Sequence, residues 1–393
     1  MARFRSECLY QLGNVFHTRP TGSFTQVQPP LITSSDCEGA GETFTVIPRE
    51  SLGATNNSSE VDHFFRSPKY LTVSSQLHLE AYAAELGSVW TLTPVFRAEK
   101  SDTPRHLSEF YMLEAEAYFM YTLDTLTDLV EDLIRDLVRR LYNTPVAQEI
   151  LTVRRTGESG PEDRPDEGLR QRWLDLMDER RWKRITYTNA IEMLQDAAEK
   201  RGARFEYPPT WSGGLQLEHE KYIVEVICRN KPVFVTDYPR SVKPFYMAPS
   251  HSEGFEDGRE TVACFDLLLP EVSEVAGGSL REHRLEHIIQ NMRENGLVKQ
   301  REMPSSQQSS SSSFPQEDAS KAEAEDLAEA LYPGLRPHED LVHLRWYTDL
   351  RRWGSAPHGG FGLGFDRFLG YLAGVSSLRD VVAFPRYFGR AEC

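Results

Sequence analysis

The polar residues at positions 97–116 have side chains that could bind a nucleotide. Arg97 and Glu99 are two residues apart on a β-like run, so their side chains lie on one face of it. A polar loop and a second apolar run follow, which predicts an antiparallel hairpin. Guanidinium groups bind phosphate oxygens, carboxylates hold Mg²⁺ or an amine, and an aromatic ring stacks on a base. The alternative is a solvated face of ion pairs. The remaining candidates on this hairpin are Arg105, His106, Phe110, Glu114 and Glu116.

Two carboxylates farther along the chain could hold a metal ion. Asp266 lies inside an otherwise apolar run, 265–269, so it points either to solvent or to a partner such as a metal. Glu274 follows eight residues later. Mg²⁺ usually takes only one or two protein carboxylates and completes its shell with phosphate oxygens and water. The pair is therefore a candidate Mg²⁺ site, and two unrelated surface acids are the alternative.

A glycine-rich run at 358–367 ends in an arginine. It has neither the GK[ST] of a P-loop nor a strand–GxGxxG–helix unit followed by an acid, which excludes both common phosphate fingerprints. The glycines could instead flatten a strand on which a nucleotide lies, with Gly364 beside it and Arg367 at the following helix start facing phosphate. A glycine strand packed against a neighbouring backbone is the alternative.

A third acidic segment, 35–42, places Glu38 and Glu42 among small residues. Glycines allow a ligand to approach the backbone closely, so these carboxylates could reach an ammonium group. A plain turn explains the same sequence.

Composition limits the class of protein. The 393 residues carry a net charge of −15, which argues against general nucleic-acid binding through a basic surface but allows a local basic groove. No apolar run reaches the roughly 18 to 20 residues of a membrane span. The five cysteines are scattered and form no CxxC pair, so we expect no zinc site or disulfide framework and a reducing compartment.

Periodicity predicts the surrounding elements. Apolar residues at helical spacing predict helices at the start of the chain, at 76–86 and at 123–141. Apolar runs predict strands at 223–227 and 344–350, and the glycines at 277–278 are predicted to open a helix that extends to about 295. The serine-rich tract within 304–324 predicts a disordered insertion.

Several of these segments together resemble a known family. FRAEKSDTPRHLSEFYMLEAE is similar to the second signature motif of class II aminoacyl-tRNA synthetases, and GFGLGFDR is similar to the third. Residues 1–30 fit the first motif, a long helix and a strand that ends at a proline. SSDCEGAGETF, LTVSSQLHLE and DLLLPEVSEVAGGSLREHR resemble asparaginyl-tRNA synthetases in particular, and such stretches follow the expected order over nearly the whole chain.

The resemblance implies an α+β class II synthetase fold: a six-stranded antiparallel sheet flanked by helices, usually in a homodimer built on the first motif. One catalytic domain would cover residues 1–393. Family members carry an N-terminal OB-fold that binds the anticodon, and because this chain starts inside the first-motif helix, we expect no such domain here. Asp366 replaces the glutamate that is usual in the family, and Ser75 replaces a common glycine. We expect these differences to affect details of the pocket rather than the fold.

The resemblance also assigns roles at the ATP. Arg97 would hold the α-phosphate and Arg367 the γ-phosphate, which makes them the catalytic pair. The other ATP-binding residues would be Glu99 and Phe110 at the adenine, Arg105 and His106 at the outer phosphates, and Gly364.

The remaining roles concern metal and amino acid. Asp266 and Glu274 would bind Mg²⁺ together with ATP. The amino-acid pocket would contain Glu38 at the α-ammonium, Gln76, Arg352 near the substrate's carboxylate or amide end, and His358.

The expected activity is the ATP-dependent conversion of asparagine to asparaginyl-adenylate and its ligation to tRNA, in the cytoplasm or in mitochondria. Attack of a carboxylate on the α-phosphate needs no protein nucleophile. Three alternatives remain: a paralogue that amidates aspartyl-adenylate, transfer of the activated amino acid to an acceptor other than tRNA, and an inactive relative with a binding or regulatory role.

Overall fold

The computed structural model describes residues 1–19, 22–34, 42–49, 63–152, 167–250, 259–300, 332, 334–336 and 338–392. The strands are β1 Thr25–Gln26, β2 Ile32–Thr33, β3 Tyr70–Leu71, β4 Ser88–Phe96, β5 Glu109–Tyr118, β6 Lys183–Thr186, β7 Val233–Pro239, β8 Thr261–Leu269, β9 Ser273–Leu280, β10 Lys299–Gln300, β11 Glu339–Asp340 and β12 His358–Gly364. The α-helices are α1 Ala2–His17, α2 Gln76–Leu86, α3 Leu123–Tyr142, α4 Pro145–Thr152, α5 Glu167–Met177, α6 Tyr187–Arg201, α7 Leu217–Tyr222, α8 Leu285–Glu294, α9 Arg345–Arg352 and α10 Phe365–Ala373.

Eight strands form the main sheet, in the order β1-β4-β5-β12-β9-β8-β7-β6. The six inner strands are antiparallel to one another, which confirms the predicted six-stranded core. A short parallel strand extends each edge, β1 beside β4 and β6 beside β7. The four-residue β6 carries too little periodicity to be recognised in the sequence, whereas β1 corresponds to the strand expected before the proline of the first motif.

The predicted hairpin is confirmed as β4 and β5, in which Val95 pairs with Phe110 and Phe96 with Glu109. The glycine-rich run is also a strand, β12, as predicted. It lies between β5 and β9, so that Gly360 pairs with Glu116 on one side and with Ser279 on the other. The two family-like motifs are therefore adjacent in the middle of the sheet.

Two apolar cores cover opposite sides of the sheet. Along β8, Phe265 and Leu267 belong to the core that contains α1, α3 and α10. Cys264 and Leu268 belong to the core that contains α6, α8 and α9. Because strand side chains alternate, Asp266 lies on the same side as Cys264. None of the helices in the described ranges has the length and apolar character needed to cross a bilayer.

Three predicted elements are wrong. The run 223–227 is a π-helix that continues α7, with Val226 exposed, and 345–352 is the helix α9. Short apolar runs fit strands and buried helices equally well, so the packing decides between them. The glycines at 277–278 lie in strand β9, and the helix begins only at Leu285. The serine-rich tract at 304–324 lies outside the described residues.

Gly360 offers a direct test of this packing. A Cβ at this position would lie 1.9 Å from Glu116 Oε2 and 2.4 Å from the carbonyl oxygen of Ala115. Gly360→Ala should therefore lower the free energy of unfolding by about 3 kcal/mol or more, measured by urea denaturation.

Gly13→Ala in α1 is the matched control. A Cβ there meets nothing within 4 Å, so the better helix propensity of alanine should leave stability unchanged or raise it by up to about 1 kcal/mol. Equal stability of the two variants would contradict the packing described for β12.

Candidate active site

A cavity of about 550 Å³ opens on the sheet above β5, β9 and β12. The segment that follows β7, residues 241–247, forms its opposite wall. The lining includes polar and charged side chains that could bind or activate a ligand. They include Ser74, Gln76, Arg97, Glu114, Glu116, Lys243, Asp266, Glu274 and Arg281.

Arg97 is the first residue after β4 and gathers three other predicted residues. Its backbone N–H donates to the carbonyl of Ser108 at 3.0 Å, which closes the end of the hairpin. Its guanidinium carbon lies 5.7 Å from the centroid of the Phe110 ring. Glu99 lies 3.9 Å from both Arg97 Nη1 and His106 Nε2. The structure thus brings the four residues together, and Arg97 connects them to the cavity that it lines.

Two further arginines approach the site from different elements. Arg105 donates to the carbonyl of Glu271 at 3.1 Å, and Arg367 donates to the carbonyl of Glu274 at 2.5 Å. Gly364 is the N-cap residue of α10, so Arg367 lies in the first turn of that helix. Burial and the charge of Arg367 lower the pKa of Arg105. Like charges held this close to a helix N-terminus are suited to bind an anion such as polyphosphate.

Asp266 and Glu274 project from adjacent strands around a glycine. A Cβ at Gly277 would lie 3.3 Å from Asp266 Oδ1 and 3.4 Å from Glu274 Oε1, so the glycine leaves open the space between the two carboxylates. The charge of Asp266, with burial, raises the pKa of Glu274. In the described part of the chain no three acidic, histidine or cysteine side chains could hold a metal by themselves. The pair fits Mg²⁺ bound jointly with phosphate oxygens and water.

Two charged residues beside this pair escaped the sequence analysis. Glu220 in α7 accepts the Glu274 backbone N–H at 3.4 Å, and burial together with the charges of Glu274 and Asp266 raises its pKa to about 7. Lys243 Nζ lies 3.0 and 2.9 Å from the two oxygens of Asp266. Burial acts to lower the pKa of Lys243, but neighbouring negative charge, above all that of Asp266, outweighs it and raises the pKa.

At the other end of the cavity a buried ion pair joins β5 to the end of β9. Arg281 Nη2 donates to Glu116 Oε2 at 2.9 Å, and Arg281 Nε lies 3.2 Å from Glu116 Oε1. Burial has the largest effect on the pKa of Glu116 and raises it, although Arg281 acts in the opposite direction. Glu116 stood on the predicted hairpin face without a role, and Arg281 was hidden by the wrong helix prediction. Alternation from Gly277 along a strand would have placed it in the site.

A network around Glu80 of α2 lies behind that pair. Its carboxylate accepts from Arg351 at 2.5 Å and from the Tyr347 hydroxyl at 2.9 Å, and it lies 3.1 Å from His358 Nε2. Gln76 donates to it at 3.2 Å and also lines the cavity. The predicted pocket residues Gln76 and His358 therefore both contact Glu80, a residue to which the sequence analysis assigned no role.

Two other predicted pocket residues are placed differently or lie outside the description. Arg352 is directed away from Glu80: its guanidinium carbon lies 5.0 Å from the Tyr332 ring and 4.5 Å from the Trp353 ring, and Nη1 lies 3.6 Å from Asp349. Its neighbour Arg351 occupies the buried network instead. Glu38 lies outside the described residues.

The sheet, the motif-bearing strands and the cavity agree with one family. The sequence model described as "tRNA synthetases class II (D, K and N)" matches residues 1–387. The chain belongs to this family. The class II catalytic fold thus accounts for the hairpin, the glycine strand and their shared cavity.

Named relatives in this class II family narrow the resemblance. The chain is 39% identical over 368 residues to the mitochondrial asparagine–tRNA ligase of Saccharomyces cerevisiae, which covers 92% of this chain and 63% of that protein. It is 38% identical to the asparagine–tRNA ligase of Clostridium tetani, covering 99% of this chain and 71% of that protein. The chain thus spans about two thirds of the length of the curated relatives it matches.

Solved structures agree. The asparaginyl-tRNA synthetase of Pyrococcus horikoshii complexed with asparaginyl-adenylate superimposes with a TM-score of 0.69 at 27% identity, covering 99% of this chain and 68% of that one. The Entamoeba histolytica asparaginyl-tRNA synthetase in complex with the same adenylate gives 0.69 at 26% identity, covering all of this chain and 68% of that one.

Glu220 gives this class II site a pH-dependent stability. The pKa of Glu220 is about 7 in the folded protein and near 4.5 in the unfolded chain, so the folded state binds this proton more tightly. The free energy of unfolding therefore falls as pH rises from about 4.5 to 7. Glu220→Gln is neutral at every pH. In EDTA it should raise the free energy of unfolding at pH 8 by up to about 3 kcal/mol and leave it unchanged near pH 4.5, measured by thermal denaturation.

Glu218→Gln in the same helix is the control. Backbone N–H groups of Tyr207 and Glu206 donate to Glu218 and lower its pKa, so this variant should show no gain at pH 8. A gain of equal size for Glu220→Gln at both pH values would contradict the assignment.

Proposed function

We propose that this chain activates asparagine with ATP to form asparaginyl-adenylate and then transfers the asparaginyl group to tRNA. One observation carries the proposal: a single cavity is lined both by Arg97 with the carboxylates Asp266 and Glu274 and by the buried Glu116–Arg281 pair. Its relatives' names and the adenylate complexes of its structural neighbours support the same substrates.

The first step follows from charge. A carboxylate oxygen of asparagine attacks the α-phosphorus, the bond to the bridging oxygen breaks, and pyrophosphate leaves with that electron pair. Arg97 would stabilise the charge that develops on the α-phosphate, and Arg105 and Arg367 would bind the leaving pyrophosphate. Asp266 and Glu274 would hold Mg²⁺, which neutralises phosphate charge when bound. The protein's task is to orient the reactants, so no protein nucleophile is needed.

The Glu116–Arg281 pair supports asparagine over aspartate. A carboxamide has one acceptor oxygen and one donor nitrogen, which match an arginine donor and a carboxylate acceptor. Aspartate would place a second carboxylate against Glu116 in a buried site, where repulsion between like charges is strong. Both protein side chains are almost fully buried, so solvent screens little of this difference.

The remaining assignments belong to the same proposal. Glu99 and Phe110 would contact the adenine, His106 an outer phosphate and Glu38 the substrate ammonium group. Phe110 would stack on the adenine, while the Arg97 guanidinium, whose carbon lies 5.7 Å from the centroid of that ring, would reach the adjoining α-phosphate.

We also propose a homodimer through the first-motif helix. Leu9 and Tyr10 of α1 are exposed apolar residues on that element. The free thiols of Cys8, Cys228 and Cys264 support a reducing compartment, either the cytoplasm or mitochondria.

The decisive experiment is amino-acid-dependent ATP–pyrophosphate exchange. Exchange should occur with asparagine and be at least tenfold weaker with aspartate, and Arg97→Ala should reduce it by about 100-fold or more. Arg180→Ala, which removes an exposed arginine paired with Asp178, should leave the rate unchanged.

The outcomes separate the alternatives. Exchange with neither amino acid would refute both activation hypotheses, and exchange with aspartate followed by an ammonia-dependent product would favour amidation. Asparagine-dependent exchange without charging of tRNA would indicate a different acceptor.

Glu116→Gln tests the specificity argument. The glutamine amide can donate to a carboxylate, and the variant removes the buried negative charge. The ratio of kcat/KM for asparagine over aspartate in exchange should fall by about tenfold or more, mainly because aspartate is no longer repelled. Glu109→Gln, at the half-buried start of the same strand, is the control and should keep the parent ratio. An unchanged ratio in Glu116→Gln would locate discrimination elsewhere.

A further inference from the structure

We propose that Lys243 is a built-in counter-cation of the metal site, which occupies Asp266 until Mg²⁺ arrives together with ATP. The consequence is ordered assembly: the nucleotide-free protein binds divalent metal weakly, and the metal enters as its nucleotide complex. This inference rests on the proposed function only for the identity of the nucleotide.

The first observation is the geometry at Asp266. The ammonium nitrogen of Lys243 lies 3.0 and 2.9 Å from the two carboxylate oxygens, so it engages both of them. A divalent cation would need lone pairs of the same oxygens. Lysine and metal therefore compete for one carboxylate.

The second observation is how firmly the ammonium group is held. Its side chain is 18% exposed, and Nζ lies 4.0 Å from the centroid of the Tyr238 ring, a cation–π contact that a partly buried site strengthens. The groups facing it are Asp266 and the Cys264 thiol on β8, Glu274 on β9 and the Tyr238 ring on β7. Negatively charged and aromatic groups thus hold the ammonium group in place without any rearrangement of the surrounding elements.

The third observation explains how the lysine can yield. Lys243 lies in the segment between β7 and β8, and its side chain lines the cavity itself. Its ammonium group can therefore leave Asp266 for the cavity without entering the apolar core. ATP brings phosphate oxygens that complete the coordination of the metal and also attract the displaced ammonium group. Metal alone brings neither, so it gains less from displacing the lysine.

The space between the carboxylates agrees with this exchange. Because Gly277 has no side chain, the oxygens of Asp266 and Glu274 face a common gap. The lysine neutralises Asp266 but makes no hydrogen bond to Glu274 in the described structure. The nucleotide-free site therefore has one satisfied carboxylate and one that the metal can bind.

The test measures Mn²⁺ binding to the nucleotide-free protein by electron paramagnetic resonance of free Mn²⁺. The parent protein should bind weakly, and Lys243→Met should bind at least tenfold more tightly. Lys243→Arg keeps the charge and should remain as weak as the parent. Adding Asp266→Asn to Lys243→Met should abolish the gain, because the gained site requires that carboxylate.

Lys231→Met is the matched control, since it removes a lysine paired with the distant Asp175 and should not change Mn²⁺ binding. Circular dichroism checks that each variant is folded. Equal Mn²⁺ affinity of the parent and Lys243→Met, or tight binding by Lys243→Arg, would overturn the proposal. The measurement uses metal alone, so absence of asparagine-dependent exchange would refute the proposed function without changing this result.

Discussion

The architecture of the site depends on burying one ion pair beside a strand whose residue at the point of contact is a glycine. Removing Glu116 and Arg281 from water costs several kcal/mol for each ion, about as much as their attraction returns. The arrangement persists because the geometry is good and Arg281 also donates to Ser279 Oγ at 2.7 Å. Space for the carboxylate exists only because Gly360 lacks a Cβ. The glycine strand therefore makes room for the Glu116–Arg281 pair, at the end of the cavity that we propose binds the amino acid.

Charged side chains in and beside the cavity lie near groups of like charge, and bound substrates would offset this repulsion. Arg105 has its pKa lowered by burial and by Arg367, whereas Glu220 and Glu274 have theirs raised by burial and by neighbouring carboxylates. Each shift means that a charged group lacks enough opposite charge around it. Polyphosphate would supply that charge to the arginines and a divalent cation to the acids. The same lack of opposite charge therefore favours substrate binding and lowers the stability of the empty site. Such an arrangement is common at functional sites.

The sequence could predict the elements that carry their own local pattern. The hairpin, helices α2 and α3 and the glycine strand were identifiable from periodicity and turn residues. Arg97, which we propose binds phosphate, was identified together with the hairpin. Arg351 and Arg352 show what could not be predicted. Neighbouring residues on a helix project about 100° apart, so one position decides between the buried network and the surface, and that choice depends on where the helix packs. Lys243 carries no periodic signal because it belongs to an irregular segment.

Asp366 shows how a departure from the family pattern can be absorbed locally. The carboxylate accepts the backbone N–H of Tyr111 at 2.8 Å and forms an ion pair with Arg5 of α1. Aspartate is one methylene shorter than the usual glutamate, but the long arginine side chain reaches across to it, and the Arg5 guanidinium also lies 5.4 Å from the Phe365 ring. The contact joins the first-motif helix, the hairpin and the start of α10. Arg367 follows directly on that helix, so its position depends on a contact made outside the cavity, and the shorter acid can be accommodated without changing the cavity wall.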